Sequence, residues 1–317
     1  GSDGSDGSAS KPAKSGGSKD IVLSPNADLD AGSGVAAGDS AERFGVWANV
    51  IGGVGLQDKR KGNSGFRSSL AGGVVGVDTM VSENSALGFA VGNAVSNVKY
   101  RDDKKGDKAL SNSWIFAAYG NYQLDSNWFV RGTLTIGSNT MTSKERRFAG
   151  KFTASSKYSL ETYGAEASVG YNYRVGDAVL TPSVGLRATH LSDIDYTESG
   201  AGITNKKITQ KATASYAGLA GLQYATSAYV NDTQIMPEGH LNLQYGLGVK
   251  TPKGNYRLET GSVVQNFTGT KPSAFSTTLG GSVTALTDNV EYGVGYDLSL
   301  ADKYMGHQGS LKVKVKF

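Results

Sequence analysis

His190 and Ser192 stand two residues apart in the run Thr189-His190-Leu191-Ser192. On an extended strand that spacing puts an imidazole and a hydroxyl on one face, the minimum for a base beside a nucleophile. Nothing nearby completes such a site, because Asp193 and Ile194 follow and no third residue is evident to orient the imidazole. The chain has three histidines and no cysteine, which excludes thiol nucleophiles, thiolate metal sites and disulfides. It contains no Walker loop, no Gly-x-Ser-x-Gly elbow and no His-Glu-x-x-His. His240 falls on a polar strand face and His307 in the last loop; with no metal partner at ligand spacing, both are expected to be solvated. The expectation is therefore a protein that is not an enzyme, with no catalytic residue, no cofactor and no metal.

Charged side chains offer a second kind of chemistry. Arg131, Arg174, Arg187, Lys312 and Lys314 share polar strand faces with Glu166, Glu238, Glu291 and Asp297. Lining one lumen, the two signs either brace the wall through ion pairs or hold a segment threaded through it.

The elements that must position these groups have a period of two. From Gln234 to Lys250, Ile235, Pro237, Leu241, Leu243, Tyr245, Leu247 and Val249 take one face, and Glu238, His240, Asn242, Gln244 and Lys250 the other. The last ten residues repeat the pattern, with Leu311, Val313, Val315 and Phe317 against Ser310, Lys312, Lys314 and Lys316. Twelve such segments are predicted, near 44–56, 66–79, 85–101, 110–124, 128–146, 158–175, 178–198, 207–226, 234–250, 273–287, 290–304 and 308–317. Gaps after the even-numbered strands are brief and rich in turn formers, such as Gly176-Asp177 and Asp288-Asn289. Gaps after the odd-numbered strands are longer and charged, the short Met305–His307 excepted. Tight turns at one end and long loops at the other are the habit of outer-membrane barrels, and an even strand number lets the sheet close. The fold class expected is all-β: a 12-stranded antiparallel transmembrane β-barrel over residues 44–317.

Composition agrees. Glycine is 44 of 317 residues and proline only 6, so the glycine excess is neither collagen nor a disordered linker. No run of 18 apolar residues exists to make a spanning helix, and a mean hydropathy of −0.31 is what alternating strands produce. Tyr122, Trp128, Tyr171, Tyr173, Tyr224 and Tyr292 lie on apolar faces near the short turns, as one interfacial girdle; Trp114, Tyr163, Tyr196 and Tyr245 lie toward the long loops, as the other. The net charge of +4 comes from basic residues scattered along loops, so nucleic acid is not an expected partner. A monomer is expected.

The N-terminal 43 residues differ. Residues 1–25 are rich in Gly, Ser, Asp and Lys and read as a flexible leader. Residues 26–43 are small and acidic, a thin helix in which Gly32, Gly34 and Gly38 each cost about 1 kcal/mol relative to Ala. Such a helix makes sense only where a narrow space confines it. No signal peptide is visible, so one has been removed or the chain belongs to something longer.

At this point the chain, from about residue 26 to 317, resembles the translocator domain of autotransporters (type V secretion). The residues that carry the resemblance are Gly45-Val46-Trp47-Ala48, Gly76-Val77-Asp78, Leu180-Thr181-Pro182 with Gly185-Leu186-Arg187, Tyr196-Thr197-Glu198 with Gly200, Pro237-Glu238, Gly293 to Tyr296 and terminal Phe317. No single one is specific; their order and spacing are. The ending Gln308 to Phe317 is similar to rickettsial surface-antigen barrels. The resemblance implies a barrel that stays in the bacterial outer membrane, among its lipids, while an N-terminal passenger, absent from this chain, reaches the cell surface. Residues 26–43 would be the linker helix in the pore, touching Arg131, Glu166, Arg174, Arg187, Glu238, Glu291 and Asp297. Leu311, Val313, Val315 and Phe317 would be the signal that the barrel-assembly machinery reads by strand addition. Some relatives cut their linker between two asparagines; this linker has Asn26 and no Asn pair. Two other classes stay open. A passive pore would share every strand feature but give residues 1–43 no purpose. His190-x-Ser192 also resembles the pair of outer-membrane phospholipases, though Asp193-Ile194 stands where Asn-Gly would be expected.

Overall fold

The structure, a computed structural model, describes residues 44–60, 62–231, 233–269 and 272–317. The expected leader and linker helix, residues 1–43, lie outside the described residues. Twelve long strands build one wall: β1 Phe44–Gln57, β2 Phe66–Ser82, β3 Ser85–Tyr100, β4 Lys108–Gln123, β5 Trp128–Arg147, β6 Phe152–Tyr171, β7 Ala178–Leu191, β8 Thr213–Thr226, β9 Thr233–Val249, β10 Phe275–Thr287, β11 Val290–Ala301 and β12 Tyr304–Lys316. Each pairs antiparallel with its sequence neighbours. β1 also pairs with β12, from Gly45 opposite Lys316 to Gln57 opposite Tyr304. That last pairing closes the barrel, so the wall has no edge left to recruit foreign strands.

Connections after even-numbered strands are tight. Asn231 and Asp288 take positive φ there (54° and 42°), a conformation that Asn and Asp tolerate better than most residues. The chain enters and leaves the wall at this same turn end, where the Phe317 N–H donates to the Phe44 carbonyl at 2.8 Å.

Alternation sorts the side chains as the sequence predicts. Val50, Phe89, Phe116, Leu134, Ile136, Val184, Leu186 and Leu311 all point outward and are more than half exposed. So continuous an apolar surface would drive aggregation in water and suits lipid. Tyr122, Trp128, Tyr173, Tyr224 and Tyr292 stand out at the turn end, and Trp128 meets Tyr171 edge-on with ring centroids 5.0 Å apart. Trp114, Tyr163 and Tyr245 point outward nearer the loops, joined by Tyr216 and Tyr296. Along β4, Trp114 and Tyr122 are roughly 26 Å apart at about 3.3 Å per residue. At a tilt near 40° that is about 20 Å of height, and the exposed Leu110 four residues further along the same face extends the apolar surface past it, enough to cover the ~25 Å apolar band of an outer-membrane barrel.

Glycine abundance has a packing cause. On the inner face, Trp47 lies over Gly76, Tyr119 over Gly88 and Phe129 over Gly170, each opposite its partner in register. A Cβ on any of these glycines would strike the ring, so their bare backbones are what let the aromatics lie flat on the wall.

Three expectations need correction. The gap at 147–157 is no loop: β5 and β6 run on as a hairpin to Arg147 and from Phe152, around a short turn at Phe148–Gly150. The seventh and eighth strands stop at Leu191 and start at Thr213, and the intervening residues build something else. Ile194–Thr197, Lys206–Gln210, Lys253–Leu258 and Val264–Thr268 form a separate four-stranded sheet at the loop end. Tyr196 belongs to that sheet rather than to the outer girdle: it stacks on Tyr158 at 4.4 Å.

Candidate functional site

The inner wall pairs its charges by register. Glu166 on β6 faces Arg187 on β7, and the Arg187 Nε donates to the Glu166 carboxylate at 2.8 Å. Arg187 also reaches past β8, donating to Gln244 Oε1 on β9 at 2.7 Å. Lys314 on β12 meets Asp78 on β2 at 2.9 Å, spanning β1 above Gly45, where a Cβ would come within 2.6 Å of the lysine chain. Lys316 binds Glu291 at 2.6 Å. Arg131 lies over the Phe129 ring at 4.6 Å, and Lys312 over Trp47 at 5.6 Å. Trp47, 2% exposed, donates its Nε1–H to the Tyr119 hydroxyl at 2.8 Å.

His240 is not solvated and unattached as expected. Its Nε2 lies 2.8 Å from Asp297 Oδ1, and its Nδ1 3.9 Å from Glu238 Oε1. His240, Gly280 and Asp297 share one row across β9, β10 and β11; the middle residue lacks a side chain, so the outer two meet over it. His307 belongs to β12 rather than to a loop, and its Nδ1 pairs with the Tyr296 hydroxyl at 2.6 Å on the outer surface.

Of the residues singled out for the lumen, Glu166, Arg187, Glu238, Glu291, Asp297, Lys312 and Lys314 all enter these clusters. Arg174 does not: it sits in the short strand Tyr173–Val175 beyond Asn172, exposed at the turn end. Asp78, Lys316, Gln244 and Trp47 were missed. Alternation puts each on an inward face, but only the register shows which partner it meets. Among the terminal-strand residues, Leu311, Val313 and Phe317 point outward, and the Phe317 ring lies 6.2 Å from that of Phe44.

The His-x-Ser pair is not assembled. His190 turns outward against Tyr163, ring centroids 6.1 Å apart. The Ser192 hydroxyl accepts the Glu161 N–H at 3.0 Å and donates to the Asp193 carbonyl at 3.2 Å.

At the loop end, the four-stranded sheet is fastened to the β5–β6 hairpin. Arg147 Nη2 lies 2.8 Å from both oxygens of Glu198, which also accepts the Lys206 N–H at 2.8 Å. The same guanidinium donates to the Thr204 carbonyl. Met141, Tyr158 and Leu160, on the lumen side of the hairpin, pack against Ile194, Leu191 and Tyr196. Burial pushes the Tyr196 hydroxyl pKa up and the Lys206 ammonium pKa down. The sheet is thus folded inward over the mouth rather than splayed away from it.

A closed twelve-stranded wall, an apolar belt and a charge-paired lumen can be compared with known proteins. The family model described as Autotransporter beta-domain matches residues 46–297. This chain belongs to that family. It is 33% identical over 295 residues to outer membrane protein B of Rickettsia prowazekii (strain Madrid E), covering 89% of this chain and 18% of that protein. To outer membrane protein A of Rickettsia conorii (strain ATCC VR-613 / Malish 7) it is 31% identical over 310 residues, 95% of this chain and 15% of the other. The chain therefore spans under a fifth of these relatives' length. In structure it is similar to the translocator domain of autotransporter NalP from Neisseria meningitidis, with a TM-score of 0.68 at 16% identity over 88% of this chain and 90% of that one. The β domain of the Bordetella autotransporter BrkA gives 0.65 at 14%, over 87% and 100%. The autotransporter β-domain is an outer-membrane barrel, and this chain shares that fold with the NalP translocator domain.

Proposed function

We propose that this barrel supports export of an N-terminal passenger, with residues 26–43 as the linker held in the lumen and residues 1–25 leading out to it. The observation that carries the reading is the lumen itself: its charges are paired along the wall and its aromatics lie flat on glycines, which lines a smooth bore rather than filling it. Small residues between 26 and 43 fit such a bore. Arg131, Glu166, Arg187, Glu238, Glu291 and Asp297 are the wall groups that a threaded segment would pass. The exposed outer row of Leu311, Val313 and Phe317 suits recognition by the assembly machinery through strand addition. The chain works as a monomer, carries no catalytic activity of its own, and meets lipid around its belt; the separation of His190 from Ser192 supports the second point.

Single-channel conductance in a planar bilayer tests this, for the intact chain and for one lacking residues 1–43. Low conductance that rises sharply on deletion supports a threaded lumen. Equal, large conductance in both makes the protein a plain pore.

A further inference from the structure

Register brings four cations into one line on the outside of the wall. Arg67 on β2 lies opposite Lys99 on β3, Lys99 opposite Lys108 on β4, and Lys108 opposite Lys144 on β5. All four are exposed and point outward. Directly opposed like charges destabilise a sheet, and this row has three such neighbours in succession. Elsewhere the same fold does the reverse: Glu166 faces Arg187, and Lys314 reaches over Gly45 to Asp78. No outward position of β2 to β5 holds an Asp or Glu, and no ion pair to any of the four is present among the described residues. The nearby acids Asp58, Asp102 and Asp103 are engaged by Arg101, the Gly65 N–H and Lys59.

The height of the row identifies what it meets. Lys108 is two residues beyond Leu110, the last outward apolar residue of β4, roughly 7 Å along the strand and about 5 Å along the barrel axis at a tilt near 40°. Leu110 marks the loop-end edge of the apolar face there, so the cations face sideways into the headgroup layer of the outer leaflet. We propose that Arg67, Lys99, Lys108 and Lys144 form a binding row for the phosphate groups of an anionic glycolipid in that leaflet. Phosphates bridging adjacent cations remove the repulsion that the bare row carries, and ammonium and guanidinium groups both serve as phosphate donors. The inference rests on the barrel's place in the outer membrane and is independent of whether a passenger passes through it.

The test uses the folded full chain in detergent, with bisphosphorylated lipid A and its enzymatically dephosphorylated form as probes, binding being read by native mass spectrometry. The expected result is preferential binding of the phosphorylated form, weakened at least tenfold in the quadruple variant Arg67→Gln, Lys99→Gln, Lys108→Gln, Lys144→Gln. Lys207→Gln with Lys253→Gln, in the loop sheet, should bind as the parent does. Heat-modifiable migration on a gel confirms that each variant is folded, and each single substitution supplies a milder, roughly twofold version if the quadruple one is not. Equal binding of both lipid forms, or an unchanged quadruple variant, overturns the proposal. Displacement of the lipid by an equimolar acidic peptide overturns it as well, since the row would then be a general polyanion site. Conductance is unaffected by these substitutions whichever way the lipid result falls, which separates this proposal from the export reading.

Discussion

Lys314 and Asp78 meet at 2.9 Å across the strand that separates them, with Gly45 beneath. Lys314 belongs to the last strand and Asp78 to the second, so the pair clamps the seam at which the barrel closes. Removing one member leaves the other in a site where both are about 15% exposed. Lys314→Ala and Asp78→Ala should each cost about 1–3 kcal/mol. The double variant should cost less than their sum, measured as urea unfolding of the barrel in detergent micelles. Strict additivity would mean that the pair contributes nothing to closure.

Gly280 is the space in which His240 meets Asp297. Gly280→Val puts a side chain onto both, and should destabilise the barrel by about 1–3 kcal/mol. Gly73→Ala, at an outward position with no side chain nearby, should be close to neutral in the same assay.

Arg147→Ala strands the Glu198 carboxylate, which is 7% exposed. Breaking a buried pair in this way costs about 3–5 kcal/mol, here spent locally on the loop sheet. Hydrogen exchange should quicken at Lys206–Gln210 and Ile194–Thr197 while β1 to β4 stay protected. Arg147→Lys should restore only part of the protection, because an ammonium cannot hold both oxygens of Glu198 and the Thr204 carbonyl in one plane.

Asp125, in the β4–β5 turn, accepts the Trp128 and Asn127 N–H groups, each at 2.8 Å. These bonds hold its carboxyl below the usual aspartate range. A folded pKa below the unfolded one contributes stability that is present above the unfolded value and lost as pH falls through the folded one. Protection of the Trp128 amide, corrected for intrinsic exchange, should therefore drop as the solution is acidified below that range. In Asp125→Asn the drop should vanish; an unchanged profile would assign it to another group.

Where the bilayer imposed a code, the strands were legible in the sequence. The alternation of Leu311, Val313, Val315 and Phe317 exists because one face meets lipid, and the wall boundaries there agree within a few residues. Past the belt that constraint stops. Arg147 to Lys157 is largely polar, so the upper β5–β6 hairpin read as a loop, as did Lys253–Leu258 and Val264–Thr268 of the mouth sheet, whereas Ile194–Thr197 and Lys206–Gln210 read as continuations of the seventh and eighth wall strands. Ion partners were hidden for a different reason: alternation assigns a face, whereas partners are assigned by register. Glu166 and Arg187 are adjacent-strand neighbours and Lys314 and Asp78 are not, yet nothing in the sequence distinguishes the two cases. Arg67, Lys99, Lys108 and Lys144 form a row only once three registers are known.

The central claim, that this barrel carries an N-terminal segment to the cell surface, is tested most directly by display. A signal peptide and an epitope-tagged reporter are fused ahead of residue 1, and intact cells are treated with protease. The account predicts that the barrel folds in the outer membrane and that the epitope is removed from whole cells. An epitope that stays protected inside cells whose barrels are folded and heat-modifiable would contradict it.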